Sequence, residues 1–216
     1  MKESAPCLRA DAVRNREAIV GAARDLFNCR GLDVPLDEVA RRAGVGNATL
    51  YRRFPTRADL VEAAFVDRMT EYADASEIAL ADPDPWSGFS AYVTRVLELQ
   101  AADRGLADLL VSFAGCPGGE LEQQRARGFR SVEALIRRAQ EAGHLRADFH
   151  HTDMVVILMA NAGLVQRTMD DAPATWRRLA TFLLDGLRAE AAHTTSTSPT
   201  EDQMIAAMAA QRCPGR

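Results

Sequence analysis

Between Leu36 and Pro55 the chain reads LDEVARRAGVGNATLYRRFP, and no other stretch limits its folding as tightly. Leu36, Val39, Ala40 and Ala43 recur at the spacing of one helical face. Gly44-Val45-Gly46 interrupts that period. Glycine takes the left-handed backbone of a sharp turn without strain, and Val45 supplies an apolar plug for the corner. A second short pattern follows, with Leu50 and Phe54 inward and Asn47 in place to cap its first turn. Two short helices joined by a tight glycine turn make a helix-turn-helix, whose second helix can enter the DNA major groove.

The flanking segments supply a support for this element. Residues 1–10 read as a loose end. From Asp11 to Arg30, Ile19, Ala22, Ala23, Leu26 and Phe27 share one face, and Gly31 ends the helix as a left-handed terminal residue. Pro35 suits the first turn of the next helix. Thr56 with Asp59 forms a capping-box pattern for a helix running to about Ala81. After the breaker Asp82-Pro83-Asp84-Pro85, helical spacing returns over 86–102, 104–114, 120–142, 153–169 (capped by Thr152) and 174–192. HTTSTSPT reads as linker and 201–211 as a weak helix, so 193–216 is expected to be a flexible tail. Sustained alternation is missing, and so is any long internal repeat. The fold expected is all-α with about nine helices, divided into a head (12–72) and a helical body (73–192).

Charge divides along the same line. The chain carries a net −4, yet its first sixty residues hold eleven Lys and Arg against eight Asp and Glu, leaving −7 for the rest. A basic head on an acidic body suits a small DNA-contacting unit rather than a nucleic-acid-binding polycation. With 47% hydrophobic residues the chain is not disordered. Cys7, Cys29, Cys116 and Cys213 are too scattered for a metal site or a redox pair and read as reduced thiols. The N-terminus lacks the apolar run of a secretory signal, and the longest apolar run, Met154–Ala160, is too short to span a bilayer. The expectation is a cytoplasmic protein without membrane contact. No nucleophile–base pair or phosphate-cradling glycine pattern marks an enzyme, and no cofactor is expected.

The stretch Arg14–Phe65 closely resembles the DNA-binding domain of the TetR family of bacterial transcriptional regulators. The matching residues include Ile19, Ala23, Leu26-Phe27, Gly31, Val39-Ala40, Ala43-Gly44-Val45, Thr49-Leu50-Tyr51, Phe54, Arg57 and Leu60. Gly46 and Ala48 depart from the family's usual serine and glycine at places that touch bases or phosphates, so the operator is not transferable from a relative. In the body, Trp86, the GLADLL segment at 105–110 and the GHLRADF connector at 143–149 resemble SbtR-like C-terminal domains of the family. The resemblance implies a homodimer on a double-stranded DNA operator, a small-molecule effector pocket in the body, and ligand-driven separation of the two heads.

Several residues carry the DNA reading. Asn47 offers bidentate pairing to adenine as well as a cap. Thr49 suits phosphate or a thymine methyl, and Arg52 and Arg53 suit phosphate or guanine. Gly46 and Ala48 lie beside them, Leu36 and Asp37 open the preceding helix near the DNA backbone, and Arg14 and Arg16 serve as phosphate clamps or as plain surface residues. The resemblance adds a phosphate contact for Tyr51, and one for Arg57, which stands where the family usually has lysine. The competing reading is an all-α small-molecule-binding or catalytic protein in which the helix-turn-helix is only a packing unit.

For the body, the resemblance makes Trp86, Phe89, Tyr92, Phe113, Phe129, Met154, Leu158, Met159 and the polar Asn161 candidates to line an effector cavity, with core packing as the plain alternative. Gln124 and Arg127 are possible inward polar groups. Val155, Leu158, Met159, Ala162 and Val165, with Leu179, Phe182, Leu183 and Leu187, form helix faces suited to a four-helix interface with a second copy, or to packing within the chain. His144, His150 and His151 crowd one connector with Asp148 and Asp153, but neighbouring histidines are expected to point apart and no tetrahedral spacing is present, so no metal site is expected.

Overall fold

The computed structural model describes residues 5–112, 117–193 and 196–210, with side chains placed for 11–112, 117–193 and 196–209. The described residues form ten α-helices and no β-strand; a single antiparallel bridge joins Leu145 to Arg188. The helices are α1 (Ala5–Arg30), α2 (Leu36–Arg42), α3 (Asn47–Arg53), α4 (Arg57–Leu80), α5 (Pro85–Ala102), α6 (Arg104–Leu110), α7 (Glu120–Glu141), α8 (His151–Thr168), α9 (Thr175–Leu187) and α10 (Glu201–Ala210).

The head forms from local rules. Ile19, Ala23 and Phe27 of α1 are fully buried against Val39, Ala40 and Leu50 in one cluster. Gly44 adopts φ 69°, and the Val45 N–H then donates to the Ala40 carbonyl at 3.0 Å, closing the turn between α2 and α3. The Thr56–Asp59 capping box is complete: Asp59 N–H donates to Thr56 Oγ1 at 3.1 Å and Thr56 N–H donates to Asp59 Oδ2 at 2.8 Å. Such a cap stabilises a helix by about 1 kcal/mol.

Helix α4 joins head to body. Its stripe of Leu60, Val61, Ala64, Phe65, Met69, Tyr72, Ala73, Ser76 and Ala79 is buried, and it packs on α1, α5, α6 and α7. Arg138 of α7 donates to the Leu80 carbonyl at 2.7 Å and the Pro83 carbonyl at 2.8 Å, occupying acceptors where α4 ends. The result is one continuous hydrophobic cluster, from Ile19 in α1 to Ala180 in α9.

Several sequence expectations change. Helix α1 begins at Ala5, so the chain is already helical within the segment expected to be loose. Pro35 stands just before α2 with ψ 136°, since a helix needs only its carbonyl there. Asn47 is not the cap of α3. Gly46 occupies that position in extended conformation and accepts from Thr49 N–H at 2.9 Å through its own carbonyl, which puts Asn47 inside the helix. Thr152 does not cap α8; His150 does, with Asp153 completing a capping box, and Thr152 is buried. The last long helix breaks at Arg188, whose ψ of 144° admits only a short 3-10 turn (Ala189–Ala191) beyond it. The weak helix expected over 201–211 forms as α10, with Met204 and Met208 buried against the body. Both face inward because they sit one helical turn apart.

Candidate nucleic-acid interface and body cavity

The second helix of the helix-turn-helix is held from one side only. Leu50 is fully buried and Phe54, just past its end, nearly so, while Gly46, Asn47, Ala48, Tyr51, Arg52 and Arg53 are exposed and Thr49 is half-buried. Tyr51 shows 45% of its surface, unusual for a large aromatic on so short a helix. Two anchors on the inner face therefore present one amide, one phenol and two guanidinium groups outward, the group types that contact base edges and phosphates. Freed from capping, the Asn47 amide is available for that role. Asp37 is exposed at the start of α2.

Four of the expected contact residues are engaged within the chain. Leu36 is only 8% exposed and belongs to the core. Its first-turn position on the apolar face of α2 sends the side chain inward. Arg57 is exposed, but its Nη1 donates to the Leu32 carbonyl at 2.6 Å and the Val34 carbonyl at 2.8 Å. It fixes the loop entering α2, and because both acceptors are backbone oxygens it holds that loop whatever the side chains there. Arg16 lies over the Phe54 ring at 5.6 Å, beside the C-terminal end of α3, whereas Arg14 pairs with Asp11 farther out. If Arg57 is structural, Arg57→Met should weaken DNA binding while leaving the slope of log affinity against log salt unchanged. A phosphate contact would instead reduce that slope by about one. Titration at several salt concentrations separates the two.

Head and body meet where α1 crosses α6. Leu32 N–H donates to Asp108 Oδ2 at 3.4 Å, Arg104 N–H donates to Asn28 Oδ1 at 3.0 Å, and Arg104 Nη1 reaches the Cys29 carbonyl at 3.4 Å. Gly31, at φ 80°, lies against the Asp108 carboxylate, which would have to shift to admit a side chain. Burial raises the Asp108 pKa above its ordinary value, partly offset by the Leu32 N–H and Arg104.

The body holds a cavity of about 570 Å³ between α4, α7, α8 and α10, within the size range of small-molecule sites. Phe129, Met154 and Leu158 line it as expected. Val155, expected at a dimer face, lines it too. Phe89 and Tyr92 do not: α5 is packed by α4, α6, α7, α8 and α9, so both are buried in the core, with Tyr92 donating to the Tyr72 hydroxyl at 3.1 Å. Trp86 is half-buried under the Arg188 guanidinium, 4.4 Å from its ring centre. Asn161 is structural, donating to Gln100 Oε1 at 2.9 Å and to the Leu97 carbonyl at 3.3 Å, while Gln100 donates to the Leu158 carbonyl at 3.2 Å. The expectation for Phe113 falls outside the described residues. Arg127 turns toward α4, pairing with Asp74 and Glu77, rather than into the cavity.

Sequence reasoning missed Tyr72, Arg125, Arg130, His151, Met204, Ile205 and Met208, which line the cavity. The paired methionines at 204 and 208 are a readable signal; nothing local distinguishes Arg125 and Arg130 from the other arginines of α7. The histidines do not point apart: the His150 and His151 rings lie 4.0 Å between centres. His150 caps α8, which fixes its ring there, and His151 packs edge-on to Phe129. Burial, and then His150, lower the His151 pKa.

Of the faces proposed for a second copy, Val165 is buried within the chain because it packs into the core cluster. Met159, Ala162, Leu179, Leu183 and Leu187 are half-buried, and Phe182 is 58% exposed, with the Arg178 guanidinium 4.1 Å from its ring centre. Val156, not anticipated, is 44% exposed on α8. Among the described residues no helix is long and apolar enough to cross a membrane.

Comparison with known proteins places this geometry among related chains. A model of bacterial regulatory proteins of the tetR family matches residues 19–64, and one of the transcriptional regulator SbtR-like C-terminal domain matches 84–189. A TetR transcription regulatory protein from Mycobacterium vanbaalenii is 34% identical, covering 84% of this chain and 99% of that one (TM-score 0.45). The regulator SCO0520 from Streptomyces coelicolor is 36% identical over 80% of this chain and 98% of that one (TM-score 0.49). A bacterial regulatory protein in the tetR family from Rhodococcus RHA1 shares the fold at TM-score 0.60 with 17% identity, covering 80% of this chain and 96% of that one. Among curated proteins, the HTH-type transcriptional regulator SAB2452 of Staphylococcus aureus is 37% identical over 54 residues, 24% of this chain, and the match spans 29% of that relative's length.

Proposed function

Since the chain belongs to the TetR family, whose members are DNA-binding transcriptional regulators and not enzymes, we propose that it acts in the cytoplasm as a homodimeric, ligand-responsive repressor of a palindromic operator. The observation that carries this reading is the exposed row Asn47, Ala48, Tyr51, Arg52 and Arg53, with half-buried Thr49 among them, over the buried anchors Leu50 and Phe54. In this reading residues 12–72 bind DNA and 73–192 bind effector and partner, with Tyr72 and α10 completing the cavity wall. Gly46, Asp37, Arg14 and Arg16 flank the contact, and Leu36 and Arg57 shape it from behind.

A two-fold dimer would set its recognition helices in successive major grooves, about 34–36 Å apart. The faces bearing Val156, Met159 and Ala162 on α8 and Leu179, Phe182, Leu183 and Leu187 on α9 supply the four-helix contact. Effector in the cavity shifts the heads only by binding one spacing more tightly than the other. Because α6 borders the cavity through Leu110 and touches the head through Asp108, it is the element through which occupancy reaches α1. The test is a gel shift of the purified full chain on the DNA upstream of its own gene. A retarded, salt-sensitive complex of two chains per site is expected. Unretarded DNA across low and moderate salt rejects the reading.

A further inference from the structure

The cavity is apolar over most of its wall but carries a cation beside a phenol. Arg125, on the inner side of α7, lines it, and burial pulls the arginine's pKa below the ordinary value. Its Nη2 donates to the Leu109 carbonyl of α6 at 2.9 Å. Tyr72, from α4, lines the same cavity and interacts electrostatically with Arg125. Burial raises the Tyr72 pKa, so its hydroxyl keeps its hydrogen, and with Tyr92 donating to its oxygen that hydrogen is directed elsewhere. One cationic donor and one neutral donor thus stand together, facing Val132, Met154, Leu158, Met204 and Met208.

From this juxtaposition we propose that the cavity takes an amphipathic organic monocarboxylate, its acid group on Arg125 and Tyr72 and its hydrocarbon body along the α7, α8 and α10 wall. The inference rests on the effector cavity of the proposed function and specifies its ligand. A guanidinium binds a carboxylate through parallel N–H donors, and charge-assisted bonds of this kind are about twice as strong as neutral ones, more so away from water. An ammonium ligand would meet the Arg125 charge. A neutral ligand gains less from that charge than a carboxylate does. The acidic groups on the wall are Glu122, exposed and accepting from the Gly118 N–H, and Glu201, exposed on the first turn of α10. Both lie at the solvent margin, as does Arg130; Glu122 attracts Arg125, but the guanidinium is the more buried of the two. Methionines at 154, 204 and 208 adapt to either a linear or an aromatic body. A carboxylate on Arg125 would compete with the Leu109 carbonyl for the guanidinium, so binding acts directly on α6.

The experiment is titration calorimetry of the full chain with decanoate and phenylbutyrate, each beside its primary alcohol and its primary amine, with gel shifts run in parallel. At least one acid is expected to bind about tenfold or more tightly than its alcohol, and its amine more weakly than either. Arg125→Gln should erase the acid's advantage while lowering the alcohol's affinity by a much smaller factor. Tyr72→Phe, which removes a single oxygen, should reduce the acid's affinity about fivefold and keeps the test decisive if the arginine variant misfolds. The proposal is overturned if neither acid exceeds its alcohol, or if the folded variants keep the full preference. Selective acid binding that leaves the operator complex intact would uphold the ligand class and reject ligand-responsive repression. A normal operator complex with no acid preference would do the reverse.

Discussion

Alanine at Arg53 or at Tyr51 is expected to weaken operator binding by about tenfold to a hundredfold each, and both together to abolish the gel shift. Contacts of a guanidinium or phenol with bases and phosphates contribute about 1–3 kcal/mol each, and these two side chains reach outward from a helix of only seven residues. Neither is buried, so neither substitution opens a hole in the core, and the melting temperature and oligomeric mass should match the parent. The two variants should differ in kind. Arg53→Ala should also flatten the salt dependence by removing a charge, whereas Tyr51→Phe should recover only what the ring contributes by packing. Full-strength binding by both alanine variants would reject α3 as the DNA-reading element.

Phe65→Ala carries the largest expected cost to stability, about 3–5 kcal/mol, against the 5–15 kcal/mol typical of a whole domain. Phe65 is 1% exposed and stacks on Phe27 with ring centres 5.9 Å apart, and the α6 backbone at Gly105 lies so close to the ring that a methyl there would strike it. Three helices that rigid cannot collapse into the space left. The informative control is Phe129→Ala. Phe129 is 41% exposed on the cavity wall, so its loss should cost little stability and act on ligand affinity. Urea denaturation resolves the two; equal midpoints would mean that Phe65 is not the packing centre described.

What could be read from the sequence follows how local its cause is. The turn at Gly44 and the capping box at Thr56 depend on a few adjacent residues, and both form as their chemistry requires. The cap of α3 was misassigned by one residue because an extended glycine can offer its carbonyl where a side chain was expected to act. The cap of α8 was missed because imidazole is an uncommon choice there. The cavity was harder still. Phe89 and Tyr92 have the composition of a pocket wall, yet α5 is surrounded by other helices and takes them into the core. Arg125 has the composition of a surface, yet it turns inward to donate to the Leu109 carbonyl of α6. Neither fact is local, since each depends on which helices are neighbours in space.

The unbroken apolar cluster from α1 to α9 has a consequence for calorimetry. Two separately cored domains would melt in two steps, but a shared core makes head and body unfold as one cooperative unit. A compound bound only in the body would then protect the amides of the helix-turn-helix against hydrogen exchange, by about 2.7 kcal/mol at a hundredfold excess over its dissociation constant. Global exchange at Leu50 would serve as a remote gauge of what occupies the space beside Arg125.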